Sequence, residues 1–147
     1  MKIAIGCDHA GFPMKALVIE EARALGHEVE ELGSFTPDPV DFPDIARAVC
    51  DAVRQGGAER GILVCGTGVG ASIAANKLRG IRASICHDVH SAHQSVEHDD
   101  VNVMCIGAQI VGPWLAKDLV AAFLRAEFHA TDDHVRRVRK LGEMEGA

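Results

Sequence analysis

Five short apolar runs, each closing on small or polar residues, alternate along this chain with stretches of helical spacing. That alternation constrains the fold more than any other feature of the sequence. The runs cover residues 2–7, 28–32, 61–65, 82–86 and 101–106. Helices are expected over 14–25, 45–53, 69–77, 91–97, 113–127 and 132–145. In the first, Met14, Leu17, Val18 and Ala22 form one apolar stripe, and Gly26 supplies the stop. Pro113 suits a first helical turn, where a missing N–H costs nothing. Strands alternating with helices make βαβ units, hence a parallel sheet of five strands with helices on both faces: an α/β fold. The segment 34–43 carries three prolines and reads as a loop entering a helix.

A chain of 147 residues fits one domain, 1–147. A domain of this size buries roughly 70% of its unfolded surface and folds without a disulfide or metal staple. The net charge of −6 argues against general nucleic-acid binding, although Arg136, Arg137, Arg139 and Lys140 make a local basic cluster for a small anion. No apolar run approaches the ~20 residues of a membrane helix, and the first residues read as a strand rather than a secretory signal. The cysteines, at 7, 50, 65, 86 and 105, are odd in number and form no Cys-x-x-Cys pair. Reduced thiols and a cytoplasmic location follow. His87, His90 and His93 sit at three-residue spacing, which a polar helix face explains as well as a metal site does.

In a doubly wound sheet, ligands gather at the carboxyl ends of strands, near the point where strand order switches. That rule selects Cys7-Asp8-His9, Cys65-Gly66-Thr67 and Cys86-His87-Asp88. The richest segment is Cys65-Gly66-Thr67-Gly68-Val69-Gly70-Ala71-Ser72, which follows a strand and opens a helix. Alternate glycines let a backbone approach a ligand and turn N–H groups toward it, and a helix N-terminus favours negative charge. The spacing matches neither the dinucleotide fingerprint nor the P-loop. A thiol at the first position of such a loop is placed to act as a thiolate base, or else is a small buried hydrophobe. Asp8 and His9 fit sugar hydroxyls or proton transfer, and equally helix capping. His98 is an acid–base candidate or a surface loop residue. The basic run His134–Lys140 could hold phosphate, or be a solvated face or a dimer contact.

Together these segments resemble the ribose-5-phosphate isomerase B family, which includes the galactose-6-phosphate isomerase subunits. The resemblance rests on Ile5-Gly6-Cys7-Asp8-His9-Ala10-Gly11, Asp41-Phe42-Pro43-Asp44, Gly61-Ile62-Leu63-Val64-Cys65-Gly66-Thr67-Gly68-Val69-Gly70 and Ser72-Ile73-Ala74-Ala75-Asn76-Lys77. Gly80-Ile81-Arg82-Ala83, Glu97-His98, Gly107 and Val111-Gly112 complete it, so it spans essentially the whole chain. It implies a Rossmann-like three-layer sandwich and a homodimer or dimer of dimers with a shared active site, the C-terminal helix reaching the partner. It implies no metal and no organic cofactor. The implied reaction interconverts ribose 5-phosphate and ribulose 5-phosphate through a cis-enediolate. Cys65 would be the base, His98 the ring opener and Thr67 a proton shuttle. Asp8, His9, Gly66, Gly68, Gly70, Asp99 and Arg137 would contact substrate.

The chain also departs from the family pattern. Asp99 stands where Asn is usual, Gln109 where Arg is common, and Asp133 where the first of two phosphate arginines is expected, leaving Arg137. Some members place a glutamate base six residues after the cysteine position; here that residue is Ala71. The lost arginines motivate an alternative, the same chemistry on a tetrulose phosphate, a hexose phosphate or an unphosphorylated aldose. A reading of another class is a non-catalytic ligand-binding α/β domain.

Overall fold

The structure, a computed structural model, describes residues 1–146; Ala147 lies outside the described residues. Five strands run β1 Lys2–Cys7, β2 Glu28–Glu31, β3 Arg60–Cys65, β4 Ala83–Ile85 and β5 Val103–Gly107. Six helices run α1 Phe12–Ala24, α2 Phe42–Arg54, α3 Val69–Asn76, α4 Val89–Asp99, α5 Pro113–Arg125 and α6 Asp132–Met144. All strand pairs are parallel, in the order β2-β1-β3-β5-β4.

The period-two alternation of the strands sorts their side chains onto two faces. Ile3, Ile5, Cys7, Ile62, Val64, Met104 and Ile106 join one core with α1, α4 and α5. Ala4, Leu63, Cys65, Val103 and Cys105 join the other with α2 and α3. The result is the expected three layers, with the Cys65 side chain on the α2/α3 side.

Three helices start earlier than the apolar spacing suggested, α1 by two residues with Pro13 in its first turn. α2 begins at Phe42 with Pro43 in its first turn, so the end of the proline-rich segment is helical. α4 begins at Val89 because the Asp88 side chain accepts the Ser91 N–H at 2.7 Å, an N-cap that polar residues conceal from an apolar count. Lys15 is buried on α1; its ammonium donates to the Ser34 carbonyl and pairs with Glu31, which ties down the base of the 34–41 loop.

β1 leads to β2 on one side, and the chain then crosses to β3 on the other. The switch point therefore lies between the ends of β1 and β3. Here the β1–α1 turn meets β3 at Gly11. A Cβ on Gly11 would lie 1.9 Å from the Val64 carbonyl oxygen and 2.9 Å from the Cys65 nitrogen, both backbone atoms. Replacing Gly11 by Ala should therefore cost about 3 kcal/mol or more, since neither side of the contact is a side chain that can swing aside. Urea unfolding measures this; a Gly11→Ala protein as stable as its parent would contradict the packing described.

Candidate active site

Asp8 follows the last residue of β1 and is 7% exposed. A buried carboxylate is tolerated when its oxygens find donors. Oδ1 accepts the Gly11 N–H at 2.9 Å, and Oδ2 accepts the Cys65 thiol at 3.2 Å. One oxygen braces the turn and the other holds a thiol. Cys65 ends β3, is 8% exposed and packs in the α2/α3 core, but its Sγ faces the Asp8 carboxylate. A cavity of about 10 Å³ lies beside it, lined by Asp8, Phe42, Ile45, Cys65 and Ala71 among others.

Beyond Cys65 the chain turns into α3. Gly68 takes φ +83°, a left-handed conformation that costs glycine little, and stands as the N-cap without a capping side chain. The first N–H groups of a helix have no partner within it. The hydroxyl of the exposed Thr67 accepts the Val69 N–H at 3.3 Å. The N–H groups of Gly70 and Ala71 have no protein acceptor among the described residues. The Phe42 ring lies against Gly70, where a Cβ would come within 2.7 Å of it. His9 is exposed, and its Nδ1 accepts the Val40 N–H at 3.2 Å, so the far end of the 34–41 loop is tied to the same turn.

His98 belongs to a second group. It lies in the last turn of α4 rather than in a loop, which corrects the sequence expectation. Its ring stacks on His134 of α6 at 4.5 Å between centroids. Nδ1 of His134 is 2.6 Å from the His129 carbonyl, and its N–H is capped by Thr131 at 3.2 Å. Arg137 is exposed on α6, with its guanidinium 4.0 Å from Asp133. Arg136 donates to Asp133 at 2.7 Å, and that bond with the two guanidinium charges holds the Asp133 carboxyl below the usual range. Asp99 is exposed and faces a groove of about 550 Å³ that also touches Arg82, Ser84, Leu141 and Met144. Among the described residues no hydrogen bond, ion pair or ring contact joins His98, Asp99 and Arg137 to Asp8, His9, Cys65 and the 66–70 loop.

The His87, His90, His93 spacing dissolves in three dimensions. His87 precedes α4 and accepts the Gly107 N–H on Nε2, His90 is exposed, and His93 pairs with Glu97 at 3.0 Å. Among the described residues no group of three His, Cys, Asp or Glu is arranged to hold a metal ion. The contacts that sequence reasoning did not foresee are His134 against His98, Phe42 over Gly70, and His87 behind Gly107. Phe42 stands inside a quoted motif, but nothing in one dimension shows what its ring covers.

Burial pushes the thiols of Cys7, Cys86 and Cys105 up, and that of Cys50 up to about 12. A small alkylating reagent acting on the folded protein near neutral pH should therefore modify Cys65 before the others, which are at most 1% exposed. Peptide mass mapping over a time course reads the order; prior labelling of Cys50 or Cys105 would contradict it.

The ribose/galactose isomerase family model matches residues 3–141. Ribose-5-phosphate isomerase B of Escherichia coli is 43% identical over 144 residues, covering 98% of this chain and 96% of that protein. A D-erythrulose-4-phosphate isomerase of Pectobacterium atrosepticum is 38% identical over 148 residues, covering 99% and 95%. Among solved structures, Clostridium thermocellum ribose-5-phosphate isomerase B superposes with a TM-score of 0.96 at 44% identity, covering 99% of this chain and 98% of that one. On this sheet and over this length of matched sequence, the chain belongs to the ribose/galactose isomerase family and is an aldose–ketose sugar-phosphate isomerase.

Proposed function

We propose that this chain interconverts ribose 5-phosphate and ribulose 5-phosphate through a cis-enediolate, with Cys65 as the base. The observation that carries the reading is the Cys65 thiol donating to Asp8 at 3.2 Å, with Ala71 from the first turn of α3 lining the same small cavity.

The steps follow from that arrangement. Asp8 takes the thiol proton and leaves a thiolate. The open-chain aldose presents its C1 carbonyl, which acidifies the hydrogen on C2. The thiolate removes that hydrogen as a proton, the C1–C2 double bond forms, and the carbonyl electrons move onto O1. The N–H groups of Gly70 and Ala71, with the Gly66–Gly68 backbone, stabilise the negative oxygen. Cys65 returns the proton to C1 while the O2 hydroxyl gives up its own, and the carbonyl re-forms at C2. Thr67 carries the proton from O2 to O1, so the balance closes without a cofactor. His9 and Asp8 hold hydroxyls of the substrate.

The ring opener, His98, is bound into the α4–α6 group. A homodimer with a shared site brings His98 of the partner subunit, with Asp99 and Arg137, to Cys65. Val135, Leu141 and Met144 support this, since they are exposed apolar side chains on α6 in the single chain. α6 then reaches the partner, the whole of 1–147 acts as one domain, and a cytoplasmic location fits the five free thiols.

A second reading keeps the chemistry and changes the sugar. Asp133 already occupies Arg136 and Arg137, and the Gln109 amide lies against Gly66 where a longer cation would reach an anion. Two charges are thereby lost or diverted from a dianionic phosphate. A tetrulose phosphate, a hexose phosphate or an unphosphorylated aldose are the substrates this would favour.

Cys65→Ser should lower kcat by about 10³-fold with an unchanged melting temperature, because a hydroxyl is a far poorer base at neutral pH. Wild-type turnover in D₂O should place solvent deuterium on the product; a fully active Cys65→Ser enzyme would remove the mechanism. A panel of ribose 5-phosphate, D-erythrulose 4-phosphate, a hexose 6-phosphate and free ribose separates the two substrate readings. The highest kcat/KM on ribose 5-phosphate supports the first, and preference for another sugar replaces it with the second.

A further inference from the structure

The Cys65 loop is held from behind by a turn it does not belong to. Gly107, the last residue of β5, is in register with Cys65. A Cβ on Gly107 would come 2.8 Å from the Thr67 backbone and 2.9 Å from the Gly66 carbonyl oxygen, so the two backbones touch. Just beyond, the Ala108 N–H donates to the Cys65 carbonyl at 2.8 Å and the Gln109 N–H to the Gly66 carbonyl at 3.0 Å. The position of residues 65–67 is therefore set by the position of residues 107–109.

What holds Gly107 is a side chain from the connection between β4 and α4. Its N–H donates to His87 Nε2 at 2.9 Å, across the end of β4. An imidazole that accepts at Nε2 is neutral and carries its proton on Nδ1. Burial lowers the His87 pKa, which keeps the ring in that form near neutral pH, against the opposing pull of the Asp88 carboxylate. Residues 108–112 contribute no titratable group, and on β5 the nearest is the buried Cys105 thiol.

We propose that His87 is a positioning residue for the isomerisation: its Nε2 fixes Gly107, and Gly107 fixes the thiol-bearing loop and the N–H groups that follow it. This rests on the reading of Cys65 as the base. Acting through the loop, His87 bears on the transition state more than on ground-state binding. Its loss should therefore appear in kcat rather than in KM. Misplacement of a catalytic group by a fraction of an ångström to one ångström costs about tenfold to a hundredfold in rate.

The test compares two substitutions of similar bulk. His87→Gln can bring its Oε1 to the Gly107 N–H, whereas His87→Leu fills the space with no acceptor. Kinetics on whichever sugar phosphate the parent enzyme turns over are measured together with hydrogen exchange at the Gly107 amide, and Cys65→Ser runs alongside. The expected result is kcat about tenfold or more lower in His87→Leu with KM within about twofold. Gly107 exchange should be faster in that variant, and both effects should be largely restored in His87→Gln. If His87→Leu does not fold, His87→Ala takes its place as the variant without an acceptor. Full kcat in a folded variant without the acceptor, while Cys65→Ser is inactive, overturns the role of His87 alone. Full activity in Cys65→Ser instead overturns the reading beneath it.

Discussion

Gly11 can lie against the Val64 carbonyl because it has no side chain, and the site depends on that contact. The approach brings the β1–α1 turn over the end of β3, so that Asp8 and Cys65, 57 residues apart, share a hydrogen bond. The Gly11 N–H fixes one carboxylate oxygen and leaves the other aimed at sulfur. A parallel sheet with its order reversing between β1 and β3 creates the crevice; close packing brings a thiol and a carboxylate together in it.

Around that pair the molecule is unequally supported. The 66–70 loop is braced by the 107–109 turn and by Phe42, while the 34–41 loop, its base secured by Lys15, is tied through Val40 and His9 to the β1–α1 turn. The α4–α6 group is organised differently. Its histidines stack on each other and its arginines turn toward Asp133, with no bond to the thiol site in the same chain. The Asp8–Cys65 pair, the proposed proton-transfer site, is thus built into the sheet. His98 and Arg137 sit instead on two helices, and the second of these, α6, exposes Val135, Leu141 and Met144. Charge already balanced within α6 leaves less of it for a phosphate.

The architecture was legible because strand alternation and helical spacing are local properties. The switch-point rule then located Asp8, His9, Cys65 and the loop after it. Element ends were less legible: Asp88 and Pro43 begin helices through capping and fixed backbone angles, and the spacing of apolar residues does not record either. Contacts between distant segments were hidden altogether. The His98–His134 stack and the His87–Gly107 bond each depend on helices and strands meeting in space. His87, His90 and His93 look like a set in one dimension. In the fold they face three environments: the start of α4 at Val89 falls between the first and the others, and His93 is drawn to Glu97.

The central claim is that an opened sugar binds with its C1–C2 edge between the Cys65 sulfur and the start of α3. A crystal structure of the protein with a sugar-phosphate hydroxamate, which mimics the enediolate in shape and charge, tests this most directly. The account predicts the hydroxamate oxygens on the N–H groups of Gly70 and Ala71, with Sγ of Cys65 in van der Waals contact with the adjoining carbon or nitrogen. A hydroxamate lodged instead in the groove between Ser84, Asp99 and Met144, with Cys65 still bonded to Asp8 and untouched, would contradict it.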